Sequence, residues 1–182
     1  MDEDVRVEDP FHPLNVLDFK PILGYIPANA TLLDVGCGKG TWLLFLKHYR
    51  PDVKAKGIDV NPEYVEICRA KGLDVELGDI YSLSFARRSF DVVTCMHVLE
   101  HLEDDRAALM KLIDVARLRV ILVLPRFYLK LYQWRSAFQE HFMVVYTPRA
   151  LKRLLKGLKA EVKEHYSVDG EAESWLVVVD VS

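Results

Sequence analysis

Short apolar runs recur along the first two thirds of the chain, at residues 31–35, 53–60, 74–79, 90–96 and 118–124. Leu32, Leu33 and Val35 in the first run suit burial on both faces of a sheet, the pattern of parallel strands rather than of half-exposed antiparallel ones. Between the runs the periodicity changes to that of helices. Residues 40–49 predict a helix that stops before Pro51, and Asn61-Pro62-Glu63 supplies an N-cap and a proline at the first position of another, which ends near Lys71-Gly72. Leu109, Leu112, Ile113 and Ala116 fall at helical spacing over 103–116. Residues 81–88 read as a short loop or a single helical turn. Strands alternating with helices imply an α/β fold with a parallel, doubly wound sheet.

The last third departs from this rhythm. Residues 126–146 are rich in aromatics (Phe127, Tyr128, Tyr132, Trp134, Phe138, Phe142 and Tyr146). Thr147-Pro148 then opens a helix that closes at Gly157, and residues 160–166 and 174–181 read as an antiparallel strand pair. At the other end residues 1–9 are expected to be loose. Residues 10–25 carry Leu14, Val16, Leu17, Phe19, Ile22 and Leu23, a leading helix that Pro21 should kink or break.

The chemistry concentrates after the first strand, in Asp34-Val-Gly36-Cys-Gly38-Lys-Gly40-Thr41-Trp42. Glycines at alternate positions let the chain turn sharply and let a ligand lie against bare backbone. In open α/β sheets that crevice beyond the carboxyl ends of the strands is the ligand site. A dinucleotide fingerprint wants glycine three residues after Gly38, where this chain has Thr41. Asp34 would also sit poorly beside a diphosphate and well beside a cationic ligand. Both points favour S-adenosylmethionine (SAM), which carries an ammonium and a sulfonium and no phosphate.

Four stretches in order carry a family resemblance. Residues 33–40 resemble motif I of the class I SAM-dependent methyltransferases; Gly57-Ile-Asp59-Val-Asn-Pro-Glu63, Gly78-Asp79-Ile80 and the stretch 90–102 resemble the three motifs that follow. The layout is similar to the type 11 group, with its UbiE-like members, and residues 117–125 are similar to the MetW-like proteins of methionine biosynthesis. The resemblance implies a seven-stranded Rossmann-like sheet of order 3-2-1-4-5-7-6 with the last strand antiparallel, in a single domain over 1–182. Residues 1–25 would form a lid across the cofactor mouth, and 126–146 would lie on the substrate side.

Site residues follow from both lines. Asp59 ends the second strand about twenty residues beyond the glycines, where an acid takes ribose hydroxyls. By resemblance Asp79 binds the adenine amino group while the Ile80 amide reads a ring nitrogen, and Asp34 orients the glycine loop or reaches the ammonium through water. Gly36, Cys37, Gly38, Val60, Gly78, Met96 and His97 complete the expected cofactor contacts. His101 is a candidate general base, since imidazole titrates near neutrality, or else it caps a helix together with Glu100. His141 falls in a His-x-x-x-aromatic-Thr-Pro segment resembling one in type 11 enzymes, which would bring a second imidazole over the site.

Composition bounds what remains. The chain of 182 residues is 51% hydrophobic and 28% charged with a net charge of −3, an ordinary globule with one substantial core. No apolar run approaches the ~20 residues of a membrane span, and the acidic first residues do not resemble a signal peptide. Cys37, Cys68 and Cys95 are scattered singly, which suits a reduced, cytoplasmic protein. No metal-ligand spacing occurs. Cys95-Met-His-Val replaces the Asp/Asn-Pro-Pro-aromatic stretch used in nucleobase amino methylation, and Cys95 lies in a core strand where a cytosine C5 nucleophile would not. Bases crowd residues 117–163, most simply as a solvated helix face. The expected acceptor is therefore a small molecule. A SAM-binding regulatory partner that methylates nothing, or an RNA methyltransferase using that basic stretch, are the alternatives.

Overall fold

The structure is a computed structural model that describes residues 19–126, 146–166 and 172–181. His141, nearly all of the aromatic segment and the first part of the leading segment lie outside the described residues.

Seven strands make one sheet: β1 (Thr31–Val35), β2 (Lys54–Asp59), β3 (Val75–Leu77), β4 (Phe90–Met96), β5 (Ala116–Pro125), β6 (Ala160–Tyr166) and β7 (Ala172–Asp180). Their order across the sheet is β3-β2-β1-β4-β5-β7-β6, as the resemblance implied. β1 to β5 pair in parallel, and β7 runs antiparallel between β5 and β6.

Adjacent strand residues point to opposite faces, so each central strand feeds two cores. Leu33, Val93, Leu122 and Val177 join Leu109 and Leu112 of α4 (Asp105–Val115) and Leu151 and Leu154 of α5 (Pro148–Leu154). Leu32, Val92, Ile121 and Leu176 join Trp42 and Leu46 of α2 (Thr41–Tyr49) on the other face, together with Ile22 and Ile26. Three of the helices begin where local side chains satisfy their free amides. Asn61 accepts from Glu63 N to start α3 (Pro62–Ala70), Asp104 accepts from Ala107 N to start α4, and Thr147 accepts from Ala150 N to start α5.

Pro21 stands in the first turn of α1 (Lys20–Leu23), where a missing N–H costs nothing; the stretch before residue 19, over which a kink was expected, lies outside the described residues. The described end of this segment is core, with Ile22 fully buried and the Arg50 guanidinium donating to Ile26 O (3.0 Å) and Pro27 O (2.8 Å). β5 starts at Ala116 rather than 118, because Ala116 pairs with Phe90 and Arg117 forms an ion pair with Asp91. Asp91 also accepts from Thr31 N and Thr31 Oγ1, both at 2.9 Å, so one carboxylate ties together the starts of β1, β4 and β5.

Candidate cofactor and acceptor site

The glycine turn leaves β1 at the carboxyl edge of the sheet. Gly36, Gly38 and Gly40 all have positive φ (74°, 53° and 81°), and the amides of Gly36 and Cys37 both donate to Ile58 O on β2. A Cβ atom on Gly36 would collide with the Val98 side chain, whereas one on Gly38 would meet nothing within 4 Å. Gly36 is therefore needed for packing, and Gly38 marks the side from which a ligand can lie on the backbone.

Asp59 braces that turn. One carboxylate oxygen accepts from Gly38 N at 2.8 Å and the other from Asn61 N at 2.9 Å. A carboxylate has about four acceptor positions, so these bonds leave capacity for a diol. Val60, next in sequence, is 71% exposed. Asp79 caps the short turn Ile80–Ser82 by accepting from Tyr81 N at 2.8 Å, Gly78 N bonds Asp59 O, and Ile80 is buried. Asp59, Val60, Gly78, Asp79 and Ile80 thus gather at the ends of β2 and β3, beside the glycine turn.

Asp34 bonds across the sheet, to β4, rather than to the loop. Its carboxylate is buried and accepts from Thr94 Oγ1 at 2.7 Å, and Thr94 in turn accepts from Trp42 Nε1 at 3.2 Å. The register that sets Asp34 opposite Thr94 in the β1–β4 pair makes this chain possible. Burial pushes the Asp34 carboxyl up to about 7 against the opposing effect of the Thr94 bond, and nearby Asp59 adds to the rise. No ion pair to Asp34 occurs among the described residues. Cys37 and Cys68 are both buried against this turn, and burial raises both thiols.

At the end of β4 the chain passes through Met96 into His97, which holds φ at +53°, a left-handed conformation uncommon for histidine. His97 Nδ1 lies 3.1 Å from Glu100 Oε1 and Nε2 lies 3.5 Å from Ser174 Oγ of β7. Glu100 is only 2% exposed, and its second oxygen has no partner. His101 is exposed in the turn Leu99–His101, and its side chain has no partner among the described residues. The pair that meets is His97 with Glu100, not Glu100 with His101. Ser174 was not anticipated; only the antiparallel return of β7 brings it to this edge.

This sheet order and this glycine turn define the class I methyltransferase fold. Residues 32–117, from β1 to the start of β5, match the family described as "Methyltransferase domain". The chain is 36% identical over 94 residues to ajmaline N-methyltransferase of Rauvolfia serpentina, covering 47% of this chain and 32% of that protein. It is 35% identical over 108 residues to ubiquinone biosynthesis O-methyltransferase of Xanthomonas axonopodis pv. citri (strain 306), covering 55% of this chain and 44% of that protein. The chain thus spans less than half the length of these curated relatives. Among solved structures, a SAM-dependent methyltransferase from Methanosarcina mazei superposes with a TM-score of 0.71 at 20% identity, covering 91% of this chain and 98% of that one. Over residues 32–117 the chain is thus similar to methyltransferase domains, and its sheet has the class I SAM-dependent methyltransferase fold.

Proposed function

We propose that the protein transfers a methyl group from SAM to a small-molecule acceptor, and that residues 1–182 act as one cytoplasmic domain. The observation that carries this reading is the turn itself: open backbone at Gly38, braced by Asp59, beside a buried Asp34 with no cationic partner among the described residues. An amino-acid ammonium supplies the missing cation and an adenosine supplies the diol, so these residues fit SAM. In this reading Asp34 faces the ammonium, Gly36, Cys37 and Gly38 form the floor under the ligand, and Asp59 takes the ribose. Val60, Gly78, Asp79 and Ile80 hold the adenine, while Met96 and His97 border the reacting end.

SAM supplies an activated methyl group, and the chain's own work is to orient, exclude water and manage protons. Residues 1–25 and 126–146 are proposed to frame the acceptor side, with His101 and His141 as the residues expected from the resemblance to act there. No helix among the described residues is long and apolar enough to cross a membrane, which agrees with an acceptor met in solution.

Calorimetric titration with S-adenosylhomocysteine tests the reading. Wild type should bind, and Asp59→Ala should lose ~2–4 kcal/mol, the scale of two charge-assisted hydrogen bonds. Equally tight binding of NADH, or an unchanged affinity in the variant, would remove the SAM assignment or the ribose site respectively. Mass spectrometry of extracts given methyl-labelled SAM would then show which molecules take the label.

A further inference from the structure

The group at the β4 edge contains more than a cofactor wall needs. Glu100 is buried with one oxygen on His97 Nδ1 and the other unpartnered. A buried carboxylate is costly unless its charge is answered, and among the described residues the imidazole is the only group bonded to it. An ionised Glu100 accepts from Nδ1–H and leaves the lone pair on Nε2. Nε2 is not well satisfied in turn. Ser174 Oγ stands 3.5 Å away, at the outer limit of a hydrogen bond, and the His97 side chain keeps 16% of its surface exposed. The backbone is held at φ +53° to present the ring this way, and such strained conformations persist where the surroundings enforce them.

The location is also specific. His97 N bonds Val123 O of β5, and Ser174 is paired with Pro125 at the end of the same strand, so imidazole and hydroxyl meet over the end of β5. This is the carboxyl edge of the sheet, on the far side of the glycine turn from the Asp59 and Asp79 cluster. Trp175 follows Ser174, fixed by its Nε1 bond to Tyr146 O (2.7 Å) and by Arg126 lying 4.4 Å above its ring. Trp175 therefore anchors β7 on the face opposite Ser174 and holds the Ser174 hydroxyl at this edge.

We infer that His97, held by Glu100 and Ser174, is the proton acceptor for a hydroxyl-bearing substrate, so that the protein is an O-methyltransferase of an ionisable hydroxyl such as a phenol. This rests on the methyltransferase reading above. In the step, Nε2 takes the hydroxyl proton as the oxygen lone pair forms the O–CH3 bond. The electron pair of the breaking C–S bond goes to sulfur, which becomes a neutral thioether. The imidazolium, paired with the Glu100 carboxylate, then gives its proton to water. His97 is the catalytic residue; Glu100 and Ser174 are positioning residues. Among the described residues, Cys95 on β4 and Tyr146, bonded to Asp105 of α4, are the titratable groups besides His97 that sense Glu100. Burial pushes the Cys95 thiol and the Tyr146 phenol upward, so neither competes as a base near neutrality.

The test uses the full chain labelled with ¹⁵N-histidine, saturated with S-adenosylhomocysteine, and catechol, phenol, ethanol and histamine as probes. His97 should show the Nδ1-protonated tautomer, and catechol or phenol should shift Nε2 selectively while histamine does not. Methyl transfer from SAM to the responding probe should fall about 10²–10⁴-fold in His97→Asn, the range expected for a general base. The variant should keep its fold, asparagine being tolerant of positive φ, as an unchanged thermal midpoint would show. Glu100→Gln should mix the two tautomers and slow transfer about tenfold, an effect on the tautomer that a purely structural role would not produce. An Nε2-protonated ring, no Nε2 response to any hydroxyl probe, or full activity in His97→Asn would overturn the inference. If S-adenosylhomocysteine itself does not bind, the methyltransferase reading fails instead.

Discussion

Asp34 offers a sharp test because its carboxyl rises from an ordinary 3.8 to about 7 in the folded chain. Burial is the main cause, and the Thr94 bond only partly offsets it. The folded state therefore holds a proton that the unfolded chain has already lost between pH 4 and 7. Stability contributed by this group is full below the unfolded value, declines as pH rises through that window, and is gone above about 7. The rise corresponds to on the order of 4 kcal/mol between the two ends of the window. Asparagine carries no charge and can still accept from Thr94. Asp34→Asn should thus flatten the pH slope and make the apo protein more stable than wild type at pH 8, by up to that amount. Urea unfolding of both proteins at pH 5, 6, 7 and 8 measures this directly. Ligand binding should reverse the preference, since an ammonium beside the site favours the carboxylate. Wild type should release a proton on binding S-adenosylhomocysteine at pH 6, detectable by calorimetry in buffers of different ionisation enthalpy, and the variant should release none. Parallel pH–stability curves for the two proteins would refute the reasoning.

Two further substitutions probe the frame of the site. Gly36→Ala should cost about 2–4 kcal/mol, combining a positive-φ penalty with overpacking against Val98; adding Val98→Ala should recover the packing part only, as chemical denaturation would show. Asp91→Ala should destabilise by about 1–3 kcal/mol by leaving Thr31 N and Arg117 without their acceptor. Burial raises the Asp91 carboxyl, but the bonds from Thr31 and Arg117 outweigh it and hold the group below its ordinary 3.8. Its contribution is therefore present above the unfolded value and lost as pH falls through the lowered folded value, so wild type and variant should converge in stability in acid below the ordinary carboxyl range.

The sheet was readable from sequence because each central strand is apolar on both faces, as Phe90–Met96 shows, and because capping residues mark where helices begin. What stayed hidden depended on register. That Asp34 would meet Thr94 follows only from the pairing of β1 with β4, sixty residues apart in sequence. That Asp59 would hold Gly38 depends on the same packing of β2 beside the turn. The two histidines of His97-Val-Leu-Glu100-His101 look interchangeable in one dimension. A turn in three dimensions buries Glu100 against the first and leaves the second in water. Ser174 carries no local signal at all; its role comes from a strand that returns antiparallel.

The outer strand β6 bears on how the protein behaves in concentrated solution. A sheet edge offers unpaired amides and carbonyls to any passing strand, including that of another copy. Here Glu161, Lys163 and Glu164 crowd a seven-residue edge and leave Val162 as the exposed large apolar side chain among them. Lys163 spans Glu161 and the Tyr25 hydroxyl, so charge is anchored along the rim rather than free to fold away. Such a rim works as a guard against polymerisation. Replacing those charged residues with threonine or valine would keep the fold's hydrogen-bond ladder intact and turn its border into a seed for fibres.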